Sequence, residues 1–192
     1  MGDHVTQPPL RRLMLALAFT CLLGWLFKAH CGADEWARQA QYTSGCYSDA
    51  VPFWGLRGVA GGQVPYFQAA LEYPVLTGAL IWFDGRLTWL IFHGAATAWR
   101  FLDMVTFVNA LLAAFVLSRL WEAGLSAARL WAWACSPVLV LYLGHNWDML
   151  AVAFAVAAIT AARDERPVHA AATAGLGAVS YTHLTLPTIY SV

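Results

Sequence analysis

Four runs of this chain, residues 13–27, 104–117, 130–144 and 149–162, contain no charged side chain at all. A helix built from such a run has no face that water would solvate, so it must be buried in other protein or in lipid. Other protein is in short supply, because the same bias runs through all 192 residues: 60% are hydrophobic and 11% charged, against about 25% charged in an ordinary soluble domain. The chain therefore reads as an all-α, multi-span transmembrane helical protein. Its 10 Trp suit the lipid–water boundary, where an indole keeps its N–H among the headgroups. The formal net charge is zero, which removes nucleic acid from the expected partners, since binding to a phosphate backbone is carried by an excess of Lys and Arg.

Arg11 and Arg12 precede the first run and Lys28 follows it. The run has the length of a signal-peptide core. No small-residue cleavage site follows it, however, and further apolar runs lie downstream, so it reads as an uncleaved first span with its arginines in the cytoplasm. Residues 29–72, with Asp34, Glu35, Arg38, Asp49, Arg57 and Glu72, read as a long first extracytoplasmic loop; ordered loops of such length usually bind or catalyse. Residues 74–83 and 87–93 are apolar but are separated by Asp84, Gly85 and Arg86, and neither half spans a bilayer alone. Two readings stay open: short interfacial or re-entrant helices, or one span with a polar break buried in protein.

Runs 130–144 and 149–162 form a hairpin about His145-Asn146-Trp147-Asp148. Arg119, Arg129, Arg163 and Arg166 lie at its other end, which the positive-inside rule puts in the cytoplasm with Arg11 and Arg12. The turn then faces outward with the long loop, an orientation that requires an even number of crossings between Pro74 and Arg100. From residue 179 apolar continuity is lost, and residues 179–192 resemble translated sequencing adapter, a non-native tail. Residues 1–178 then read as the N-terminal part of a larger transmembrane domain.

Chemistry can be carried by a few residues. Asp49, in Cys46-Tyr47-Ser48-Asp49, is either a carboxylate near the membrane surface that acts as a general base on a sugar hydroxyl or a solvated aspartate capping a turn. Glu72, before Tyr73-Pro74-Val75-Leu76-Thr77-Gly78, either stabilises a helix N-terminus or faces a cavity at the bilayer surface. Asp148, with Asn146, lies so close to hydrocarbon that it must face water, a cavity or a partner, though either residue also suits an N-cap. Arg57 offers a planar fork for a phosphate or diphosphate, or is a surface arginine. Asp103 and Asn109 read as buried helix–helix contacts. Cys31 and Cys46 share the long loop, and in an oxidising compartment a disulfide between them would close a short ring. No CxxC or His-rich spacing suggests a metal, and no cofactor is expected.

Taken together, Cys46-Tyr47-Ser48-Asp49, Gly62-Gln63-Val64-Pro65-Tyr66, Glu72-Tyr73-Pro74-Val75-Leu76-Thr77-Gly78 and Asn146-Trp147-Asp148 resemble the GT-C-type membrane glycosyltransferases that use polyprenyl-phosphate sugars, in particular a bacterial mannosyltransferase-like group. The resemblance runs from about residue 10 to residue 178. It implies a catalytic aspartate in the first outer loop, here Asp49, with Arg57, Glu72, Tyr73, Asn146 and Asp148 as substrate-binding residues. The implied reaction inverts the sugar: Asp49 deprotonates an acceptor hydroxyl, on a lipid or a glycan, while a lipid phosphate leaves. That leaving group already carries its charge, so no metal is demanded. The implied location is the cell membrane, with the site on the extracytoplasmic side. Family members continue past Gly175-Leu176-Gly177 with a Lys-Tyr-Pro-type motif and further spans that this sequence does not show, so activity of the 192 residues alone is not expected. Two other classes fit the spans: a transporter, which would place its carboxylates near mid-span, and a non-catalytic membrane assembly protein, which would leave the acidic loop without a task.

Overall fold

A computed structural model describes residues 7–32, 36 and 38–181, and those residues form helices joined by turns, with no strand among them. The helices are α1 (Leu10–Ala29), α2 (Ala50–Leu56), α3 (Val75–Phe92), α4 (Ala98–Glu122), α5 (Ala127–Ala134), α6 (Pro137–Tyr142), α7 (Met149–Arg163) and α8 (Pro167–Tyr181). Among the described residues, three helical stretches, Leu10–Ala29, Val75–Ala95 and Ala98–Glu122, are long and apolar enough to cross a membrane.

Local chemistry sets the helix ends. The Thr97 hydroxyl accepts from the Arg100 N–H at 3.3 Å, capping α4, and worth about 1 kcal/mol. At its other end, Gly124 takes a left-handed φ of 72° and its N–H returns to the Trp121 carbonyl, closing the last turn as an L side chain there would not. The apolar run 130–144 is not one helix. Pro137 lacks an N–H and would strike the carbonyl four residues back, and Ser136 before it is extended, at ψ 122°. The run therefore breaks into α5 and α6.

The packing core joins Leu13, Leu17 and Cys21 of α1 to Ala113 and Leu117 of α4, Leu130 and Ala134 of α5, and Leu139 of α6. At Gly24 a Cβ would lie 3.0 Å from the Leu139 carbonyl oxygen and 3.3 Å from that of Val140. The absence of a side chain thus lets α1 and α6 touch backbone to backbone, the kind of small-residue contact on which lipid-embedded helices rely. Leu15, Phe19, Leu22 and Leu26 on the opposite face of α1 are exposed, so α1 is apolar all round, as the sequence suggested.

The bundle has two chemically distinct ends. At one, the Gln7 amide donates to the Trp121 and Leu125 carbonyls at 3.2 Å each, Arg163 bonds the Ala123 carbonyl, and Arg119 lies 3.8 Å from Asp164. Arg11, Arg12, Arg119, Arg129, Arg163 and Arg166 therefore share this arginine-rich end. At the other, the Trp25 indole donates to Asp103 at 2.7 Å and the Asp49 N–H to the His145 carbonyl at 2.8 Å. Asp49, Glu72, Asp84, Asp103 and Asp148 gather here, along with Lys28, Arg57, Arg86 and Arg100.

The segment read as two apolar halves, 74–83 and 87–93, is one continuous helix, α3. Its inward face carries Thr77, Gly78, Ile81, Asp84, Gly85 and Thr88, and its outward face exposes Phe83, Leu90 and Ile91. Of the three residues that seemed to interrupt the run, Asp84 and Gly85 belong to this buried face, while Arg86 is exposed. Near its start, Thr77 donates to the Ser180 carbonyl at 2.6 Å; mid-way, Asp84 accepts from Trp147; near its end, Trp89 donates to the Ala60 carbonyl at 3.0 Å. All three partners belong to the carboxylate end, so α3 lies across that end rather than running the length of the bundle. Within 29–72, read as a loop, the described residues include the short helix α2.

Candidate active site

Two segments remote in sequence build the floor of the site. Lys28, in the last turn of α1 and only 2% exposed, donates to the Gly45 and Tyr47 carbonyls at 3.0 and 2.8 Å and approaches His145 Nδ1 at 3.5 Å. Cys31 and Cys46 are joined in a disulfide with their Cα atoms 6.2 Å apart. The ammonium and the disulfide together tie residues 45–47 to the end of α1, and Asp49 follows directly. His30, Cys31 and Cys46 cluster closely enough to suggest a metal site, but the bonded sulfurs are not thiolates and cannot serve as its ligands.

Asp49 is not a turn cap: it stands at the N-cap of α2, yet its side chain caps no helix N–H. The Tyr73 hydroxyl instead donates to Asp49 Oδ2, and the Ser48 hydroxyl accepts the Ala50 N–H at 3.2 Å. Asp148 likewise precedes α7 without capping it. Its Oδ2 accepts from the Asn146 amide at 2.8 Å, and its N–H donates to Asn146 Oδ1 at 3.1 Å. The tight turn thus satisfies itself and leaves the Asp148 carboxylate at the mouth of α7.

Asp49, Glu72, Tyr73, Asn146 and Asp148 line one cavity of about 510 Å³, together with Tyr47, Phe53, Pro74, Ser180 and Tyr181, a size typical of small-molecule sites. Arg57 is not among the lining residues. Its fork is spent on Glu72, with Nε 2.7 Å from Oε2 and a second nitrogen 2.9 Å from Oε1, so a phosphate would have to compete with that carboxylate. Both partners are partly exposed, at 34% and 51% of their side chains. A second cavity of about 660 Å³ meets the first at Asp148 and Tyr181 and is otherwise lined by Ala, Val, Ile and Gly of α7 and α8. A polar chamber therefore opens into an apolar groove.

The electrostatics follow from burial and neighbours. Burial, and then the Asp49 carboxylate, push the Tyr47 phenol up to about 12, and the same causes raise Tyr73 further. Both phenols stay protonated and act as donors. Arg57 holds Glu72 below its ordinary value. Burial, and then the Lys28 charge, lower His145, favouring the neutral imidazole.

Sequence reasoning missed Tyr47 as a wall residue, although it adjoins Asp49. Ser180 and Tyr181 also line the cavity but belong to the stretch 179–192 read as a non-native tail, of which residues 182–192 lie outside the described residues, as do Asp34 and Glu35. No protein-family model, curated protein or solved structure matches this chain.

Proposed function

We propose that the protein is an integral membrane glycosyltransferase that moves a sugar, mannose in the first instance, from a polyprenyl-phosphate donor to a lipid or glycan acceptor outside the cytoplasm. The observation that carries this reading is the joined pair of cavities: carboxylates and phenols line one, aliphatic side chains the other, and Asp148 belongs to both. A lipid-linked sugar has the same two halves. The arginine-rich end is assigned to the cytoplasm, which sets the carboxylate end outside. With α3 lying across the outer end, no crossing falls between Pro74 and Arg100, which is the even parity that the arginines require.

In this reading Asp49 takes the proton of an acceptor hydroxyl. The acceptor oxygen attacks the anomeric carbon, and the bond to the lipid phosphate breaks from the opposite face with its electron pair on the phosphate. Tyr73 orients Asp49 through its hydroxyl, and Asp148 with Asn146 positions the acceptor. A transporter is less favoured, because Asp49, Glu72 and Asp148 sit at one end of the bundle and not mid-span. The test is transfer from a labelled polyprenyl-phosphate sugar in membranes that carry the gene's full product. Asp49→Asn, with expression unchanged, is expected to lower turnover ~10² to 10⁴-fold. Wild-type turnover in a well-folded Asp49→Asn protein rejects the mechanism, and an equally deep loss at Asp148→Asn alone moves the base to that turn.

A further inference from the structure

Asp84 is a buried carboxylate of this end that the proposed chemistry leaves without a task. It sits mid-way along α3, is 0% exposed, and lies behind the cavity wall. Its Oδ2 accepts the Trp147 indole N–H at 3.0 Å, and its Oδ1 has no hydrogen-bond partner. Burying a carboxyl on such terms is costly, and an apolar residue would fill the place at less expense if packing were all that mattered.

What the carboxyl controls is the indole. Trp147 is 1% exposed and stands at the junction of both arms of the site. In sequence it separates Asn146 from Asp148. In space its ring packs against Phe53 and Phe101, with centroids 5.6 and 6.1 Å away, and meets Tyr73 edge to face at 5.5 Å and 81°. The Tyr73 hydroxyl donates to Asp49. Aromatic packing holds the ring in place but is weakly directional, whereas an N–H bond fixes how the ring is turned. We infer that Asp84 is a positioning residue that, through Trp147, sets both the Asn146–Asp148 turn and the Tyr73–Asp49 pair. This rests on the reading of Asp49 and Asp148 as the working carboxylates.

Asp84→Asn keeps an acceptor for the indole N–H, whereas Asp84→Leu removes it. Each is read out in two ways, by hydrogen exchange of the 143–150 segment against 13–27 and 110–117, and by kcat and donor KM in sugar transfer. Asp84→Leu is expected to speed exchange in 143–150 on the order of tenfold, leaving the two reference segments unchanged. It is expected to lower kcat ~10²-fold with donor KM within about threefold. Asp84→Asn stays near wild type in both. If Asp84→Leu does not fold, Trp147→Phe carries the same expectation. Unchanged exchange at 143–150 overturns the inference, as does wild-type kcat in the Asp84→Leu/Trp147→Phe double variant, since a purely structural role would be satisfied by that apolar pair. If the wild-type protein transfers no sugar while the exchange pattern holds, the glycosyltransferase reading falls and the positioning role stands.

Discussion

Asn109→Leu is a direct test of how the 143–148 turn is held. Asn109 is 1% exposed within α4, and its amide nitrogen donates to the Leu143 and Asn146 carbonyls at 2.7 and 2.8 Å. Its Oδ1 has no partner. Leucine fills nearly the same space but strands one buried and one partly buried carbonyl, at up to about 1–3 kcal/mol each, less what is regained by removing the unpartnered Oδ1. Hydrogen bonds between helices in lipid average only about 0.6 kcal/mol, which pulls the total toward its low end. A net loss of about 2 kcal/mol remains, equivalent to a thermal midpoint lower by about 4–8 °C in a chain of this size. Asn109→Asp keeps the shape but points a carboxylate at two carbonyl oxygens. It should be worse than leucine at neutral pH, with the gap narrowing in acid as the neutral carboxyl recovers one donor. The assay is thermal unfolding in detergent across pH. A leucine variant that melts within about 1 °C of wild type, or an aspartate milder than the leucine, refutes the reasoning.

Three further outcomes are expected. The Arg57–Glu72 pair holds Glu72 below its usual 4.5, so its stabilisation is present above that value and disappears as pH falls through the lower folded one. The midpoint gap between wild type and Glu72→Gln should be measurable at pH 7, small because both side chains are partly exposed, at no more than about 1 kcal/mol, and absent in strong acid. Replacing Cys31 and Cys46 by serine opens a ring with a sequence separation of 15, which should cost about 3 kcal/mol; equal midpoints for the oxidised and doubly substituted proteins would contradict this. Finally, single cysteines at Ala60 and Leu125 in an otherwise cysteine-free variant should react with an impermeant reagent from outside at 60 and not at 125, and the reverse pattern would invert the orientation.

Much of the helical content could be read from the sequence because α1, α4 and α7 have no charge in their interiors. The 74–93 segment was harder to read. In water a polar stripe faces outward, but α3 turns Thr77, Asp84 and Thr88 inward and Phe83 and Leu90 outward, so Asp84 looked like part of a break. The interruption that does occur, at Ser136-Pro137, was hidden because the residues around it are all apolar. At the site, Asp49, Glu72 and Asp148 were visible as carboxylates beside hydrocarbon. Their convergence was not, because it depends on Lys28, Trp147 and the Cys31–Cys46 bond, each joining residues from separate parts of the chain. The Arg57–Glu72 pair was also hidden, since nothing in a linear pattern says that two candidate site residues will occupy each other.

The disulfide has a practical meaning for anyone inserting into this protein. The chain leaves the end of α1 at Cys31 and returns at Cys46, with only 6.2 Å between the two Cα atoms, so residues 32–45 form a covalently closed side excursion. Asp49 lies three residues beyond the return point, and its position is referenced to α1 across the sulfur bridge and the Lys28 ammonium rather than along the excursion. An epitope or affinity handle spliced into the ring therefore adds length that the site does not feel, provided that the Trp36 and Tyr42 rings, which stack on Tyr47, are left in place.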